Sequence, residues 1–188
     1  MVFCSLPATA GAHTAAAGLG NFASGLLHPV STPTHLLVLL GVGLLAGQHS
    51  PLRLKTLLAV FIPVSAVALC LTTTGMVKAV YQPILIALAL MAGTLVILGK
   101  PLPPFAGRMI FALAAVALGL DSAVETGPWP AIVKTLLGTW IGLVVVVTDL
   151  AFYASLFTKH QWQRVGLRVA GSWITAASLM ILAFALGR

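Results

Sequence analysis

The stretch that decides the fold is LLHPVSTPTHLLVLLGVGLLAG, residues 26–47. Its second half, LLVLLGVGLLAG, is apolar on every face of a helix, so a helix built from it has no side to show to water. Such a segment sits either in the middle of a large core or in a bilayer. Strand alternation is absent, which excludes an outer-membrane barrel reading for this segment. The first half is different in kind. Pro29 and Pro33 prevent one uninterrupted helix, and Ser31, Thr32 and Thr34 offer hydroxyls to loose backbone groups. His28 and His35, two of the five histidines in the chain, flank this interruption.

Composition chooses between core and bilayer. Of 188 residues, 60% are hydrophobic and 7% charged, and mean hydropathy is +1.08. Ten Lys/Arg and three Asp/Glu cannot cover a soluble domain of this length, so lipid must cover much of the outside. The +7 charge is spread singly at the ends of apolar runs, with no basic stripe and no aromatic interleaving, which speaks against nucleic acid as a partner. Cys4 and Cys70 are far apart in sequence and form no disulfide framework or CxxC pair.

Six apolar runs approach the length of about 20 residues that a helix needs to cross the hydrocarbon layer. They lie at 34–49, 56–74, 80–99, 106–124, 132–157 and 165–187. The expected fold is therefore all-α, a polytopic transmembrane bundle of six spans forming one domain over residues 13–188. The first run is short, so tilt or an added N-terminal turn is expected. Arg53, Lys55, Lys100, Arg108, Lys159, Arg164 and Arg168 fall in the first, third and fifth loops, against Lys78, Lys134 and Arg188 on the other side. By the positive-inside rule both termini are extracytoplasmic, and His28 and His35 lie at the outer mouth.

Residues 1–12 are either a signal remnant or the native start. Ala10 and Ala12 have the small-residue spacing of a cleavage site, but no basic region precedes them. Cleavage after Ala12 would expose His13 as a terminal amine and imidazole that chelate together. Glycines in the spans, including the GxxxG of Gly138 and Gly142, permit close helix approach in lipid. Pro63 and Pro83 are expected to kink or begin helices. Tyr81, Trp129, Trp140 and Trp162 are expected as anchors at the membrane surface.

Polar residues at membrane depth are costly, which directs attention to His28, His35, Asp121, Glu125 and Asp149. Imidazole suits nickel, cobalt, copper and zinc, so the two histidines are candidate metal ligands; the alternative is that both are interfacial and bonded to carbonyls. A shared metal requires the two side chains within about 8 Å, given metal–nitrogen bonds of about 2 Å. Asp121 and Glu125 are four apart and share a helix face near the outer end of the fourth run. Asp121 is the candidate third ligand, and Glu125 a vestibule residue or a solvated helix end. Asp149, in VVVVTDLAFY, is the acid deepest in a run. It is read either as an ion path or proton relay, or as a hydrogen-bonded residue between helices. His49 and His160 are ordinary loop histidines. No phosphate loop, Ser-His-Asp set or CxxC is visible, so enzyme chemistry has no support.

The stretch GNFASGLLHPVSTPTHLLVLLGVGLLAGQ resembles the HupE/UreJ family, small bacterial membrane proteins linked to hydrogenase and urease maturation and regarded as nickel or cobalt permeases. His28, Pro29 and His35 match the family pattern His-Pro-x-x-Gly-x-Asp-His, with Thr32 where glycine is usual and Thr34 where aspartate is usual. RVAGSWITAASLMILAF resembles the family's last helix and GLVVVVTDLAFY its fifth. The fourth span departs most. LGLDSAVE stands where a His-rich stretch is usual, with only Gly119 and Glu125 retained, and Phe152 replaces a histidine of the fifth span.

The resemblance implies a multi-pass protein of the bacterial inner membrane that binds or transports a divalent transition metal, nickel or cobalt first, with copper or zinc open. Its surroundings would be the lipid bilayer and a metalloenzyme maturation system. The missing imidazoles lower the expected affinity for nickel, while Asp121 and Asp149 offer harder oxygen donors. The competing expectation is an accessory or structural subunit of a larger membrane complex that no longer transports.

Overall fold

The computed structural model describes residues 20–48, 51–75, 80, 82–124 and 127–186. Seven helices make up the described residues: α1 Asn21–Ser31, α2 Pro33–Gly47, α3 Pro51–Thr72, α4 Gln82–Leu98, α5 Pro104–Asp121, α6 Trp129–Leu156 and α7 Gln161–Leu186. Each of the six apolar runs coincides with one of α2 to α7. Residues 1–12, with Cys4 and the proposed cleavage site, lie outside the described residues.

Helix α2 is the axis of the bundle and touches all six other helices. No residue from Thr34 to Gln48 is exposed, and Val38, Leu39, Val42, Leu45 and Ala46 are fully buried. This explains why residues 36–47 carry no polar face: every side of α2 meets another helix. Around it, α4 and α6 run in the same direction as α2, and α3, α5 and α7 run back. The three connections after α2, α4 and α6 therefore gather at one end. Lys55, Lys100, Arg108, Lys159, Arg164 and Arg168 cluster there by topology.

Outward faces are apolar. Val67, Leu113, Val145, Trp173 and Phe184 are exposed on the surface of the bundle, as a lipid-covered protein requires and a soluble one could not sustain. Four helices, α3, α5, α6 and α7, are long and apolar enough to cross a membrane, and the bent pair α1–α2 makes a fifth if taken as one span. Helix α4, apolar over 17 residues, is shorter.

Helix α1 departs from the sequence expectation of at most an added turn. It is an eleven-residue helix meeting α2 at a 69° bend. The break is at Thr32, the residue between the two helices, whose φ of −96° and ψ of 109° are extended. Pro33 causes it, because the proline ring excludes the helical conformation at the residue before it. Proline at the first position of α2 then lacks an N–H that would have had no partner there. Pro29 does not break the chain, contrary to expectation. It lies inside α1, buried against α6.

The GxxxG motif holds α1 in place. A Cβ at Gly138 would collide with the carbonyl oxygen of Phe22, and one at Gly142 with that of Leu26. The α1 backbone thus lies directly on α6, about two to four turns inside its start. Trp140 is likewise no surface anchor. It packs against the core and donates its indole N–H to the Ile62 carbonyl at 3.2 Å, beside Pro63. Trp129 and Trp162 are exposed at the starts of α6 and α7, and Tyr81 lies outside the described residues.

Replacing both motif glycines, Gly138→Ala with Gly142→Ala, should lower the thermal midpoint in detergent, consistent with about 1–3 kcal/mol of overpacking. Gly166→Ala, where a Cβ meets nothing within 4 Å, should leave it unchanged or raise it.

Candidate functional site

The bend at Thr32 folds the chain so that residues seven apart come together. The rings of His28 and His35 pack edge to face with centroids 5.1 Å apart. An unbroken helix places positions seven apart two turns from each other, about 10 Å along the axis. The sequence condition for a shared ligand is therefore met in distance.

His35 is in the first turn of α2, at the centre of the bundle, and is completely buried. Its Nε2 lies 2.9 Å from Asp121 Oδ2, where α5 ends. Asp121 retains 16% of its side-chain exposure, so the pair is closed on the histidine side and open at the carboxylate. Of the two, Asp121 stands at the unfavourable end of its helix, an acid at a C-terminus. Their mutual hydrogen bond offsets that placement. Where the contact is an Nε2–H donating to a carboxylate oxygen, the lone pair of the imidazole is left on Nδ1.

That Nδ1 is buried and has no hydrogen-bond partner. The hydroxyl of Thr34, also buried, has none either. Buried polar atoms are normally paired, and an unpaired one costs about 1–3 kcal/mol. Two such atoms on neighbouring residues at the head of α2 therefore mark a place where the fold accepts a cost. His28, His35 and Asp121 are the residues that sequence points to; Thr34 carries no signal there beyond a hydroxyl for loose backbone groups at a position where aspartate is usual.

The other candidates are elsewhere. Glu125 lies outside the described residues. Asp149 is exposed on the outward face of α6, in line with Val145, Phe152 and Tyr153. It faces away from the bundle interior. Among the described residues no three His, Cys, Asp or Glu side chains are grouped so that they could hold a metal ion. His28, His35 and Asp121 form a chain of neighbours in which one nitrogen of the middle residue is committed to the carboxylate.

An apolar, lipid-facing bundle with a helix broken at its core and a His–Asp pair at the break defines a small polytopic membrane protein. The sequence matches the HupE / UreJ protein family over residues 1–181. The chain belongs to that family, whose members are membrane-associated and are generally nickel or cobalt accessory or transport proteins, not enzymes. No curated protein and no solved structure matches it.

The role of Asp121 is open to a direct check. Asp121→Ala should lower the thermal midpoint by an amount consistent with about 1–3 kcal/mol, the cost of stranding a buried N–H. Asp121→Asn, which keeps an acceptor oxygen, should lose less. In nitrogen NMR spectra of histidine-labelled protein, the wild-type His35 should show a protonated Nε2, and the alanine variant should lose that signature.

Proposed function

We propose that the chain handles a divalent transition metal as its substrate, nickel or cobalt before copper or zinc, at the end of the bundle where α1 meets α2. His28 and His35 supply imidazole donors. The observation that carries this reading is the edge-to-face histidine pair, 5.1 Å apart, with His35 Nδ1 buried and unpartnered.

In this reading Asp121 works through His35. A carboxylate on the far nitrogen fixes the tautomer and orientation of a ligating imidazole and raises its basicity. Thr34 and Asp121's second oxygen lie on the flanks. Two imidazoles with water and weak oxygen donors make a shallow site, as transit needs: favourable enough to load and weak enough to release. The His pair faces the extracytoplasmic side if the cation-rich end of the bundle is cytoplasmic, and the membrane is then the bacterial inner membrane, crossed six times with α1 and α2 as one broken span.

A second reading is favoured by two observations. No group of three donors exists among the described residues, and Asp149 sits on an apolar outward face, where a carboxylate is costly without a partner. Both fit an accessory subunit docked on a larger membrane complex.

Equilibrium binding of nickel, cobalt, copper and zinc by purified protein separates the two. The wild type should bind at least one of them, and His28→Ala/His35→Ala should bind it at least tenfold more weakly. Equal and negligible binding by both, together with co-purification of a large complex from native membranes, would establish the accessory role instead.

A further inference from the structure

The end of the bundle opposite the histidines carries a cleft of about 260 Å³, lined by Gln48, Gly99, Thr158, Arg164, Leu167 and Arg168. Four parts of the fold meet there: the end of α2, the turn after α4, the turn between α6 and α7, and the first turns of α7. We propose that this cleft binds a phosphate group, and that its natural source is the headgroup of an anionic phospholipid.

Charge provides the first argument. Arg164 and Arg168 are four apart on α7 and share a face, an arrangement of like charges that destabilises a helix. The chain has three acids, Asp121, Glu125 and Asp149, and none lines the cleft. Among the described residues the His35–Asp121 contact is the only ion pair. Two guanidinium groups therefore face one cleft without a protein carboxylate, and an anion between them removes the repulsion.

The way each arginine is held supplies the second argument. Arg164 donates Nε–H to the Thr158 carbonyl at 2.8 Å, which fixes the plane of the guanidinium and leaves its terminal N–H groups for another acceptor. Arg168 lies across Gly99, whose φ of +58° favours glycine; a Cβ there would be 2.9 Å from Arg168 Nη2. Gln48 is tied through Nε2 to the Val96 carbonyl at 3.1 Å, which makes a polar wall of its amide. The cleft is thus a set of oriented donors, and a guanidinium fork matches phosphate oxygens better than a point charge does.

Location supplies the third. Lys100, Lys159 and His160 are exposed on the adjoining turns, so the cleft opens among further cations at the end of a bundle whose sides face lipid. Basic pockets between membrane helices at such an end match anionic headgroups. The inference is independent of the metal reading, because none of its residues touches the histidine pair.

The test measures thermal stabilisation and apparent affinity of the detergent-solubilised full chain with phosphatidylglycerol, phosphatidylcholine and inorganic phosphate. Phosphatidylglycerol should stabilise the wild type, and Arg164→Gln/Arg168→Gln should weaken the response about tenfold or more. Arg108→Gln, which removes one cation from the same end outside the cleft, should respond as wild type. Should the double glutamine variant fail to fold, Arg164→Lys/Arg168→Lys keeps the charge but loses the fork and should respond more weakly than wild type. The same variant-dependent response to millimolar inorganic phosphate, without preference for the lipid, would keep the phosphate site but overturn the lipid as its source. Equal responses to phosphatidylglycerol and phosphatidylcholine with none to phosphate, or responses unchanged by either pair of substitutions, would overturn the proposal.

Discussion

The structure turns on one backbone constraint, the exclusion of Thr32 from the helical region by the proline that follows it. Had residue 32 been helical, α1 and α2 would form one rod and His28 and His35 would point to successive levels of it. With Thr32 extended, the chain turns through 69°, and the two imidazoles meet across the corner. Helix α1 cannot hold this position alone, because eleven residues are too few for a stable isolated helix. It is held by α6, where Gly138 and Gly142 let the two backbones touch. A local proline effect and a tertiary glycine contact, some hundred residues apart in sequence, therefore define one site.

Asp121 completes the arrangement from a third direction. It reaches His35 from the last turn of α5, and so commits one nitrogen of the central histidine while leaving the other buried and unpaired. A carboxylate at the position of Thr34 would have had to do this from within α2. The chain places a hydroxyl there and supplies the carboxylate from another helix. This is why a motif that looks incomplete in sequence still surrounds its histidine with polar atoms in the fold.

What was legible in sequence follows from which forces act locally. The apolar runs mark α2 to α7 because hydropathy is a property of consecutive residues, and the all-round apolarity of residues 36–47 marks the central helix for the same reason. Helix α1 was not legible. NFASGLLHPVS has polar and small residues at its start and a proline inside it, and its helicity comes from packing on α6. The proximity of Asp121 to His35 was a hypothesis that sequence could raise but not decide, since 86 residues separate them. Trp140 packs inward and Asp149 outward, and sequence does not distinguish the two. Rotation about a helix axis decides whether a mid-span residue faces lipid or protein, and α6, apolar all round, gives no pattern from which to read it.

Family membership, a broken helix at the centre of the bundle and an orphaned imidazole nitrogen together support a substrate metal held by two histidines. If so, both rings ligate one ion, which X-ray absorption spectroscopy of the nickel-loaded protein can show. Scattering from two imidazoles with nitrogen at about 2 Å is expected, the remaining donors being oxygen, with loss of the imidazole signal in His28→Ala/His35→Ala. A spectrum with oxygen donors only, or one that the double substitution leaves unchanged, would contradict it.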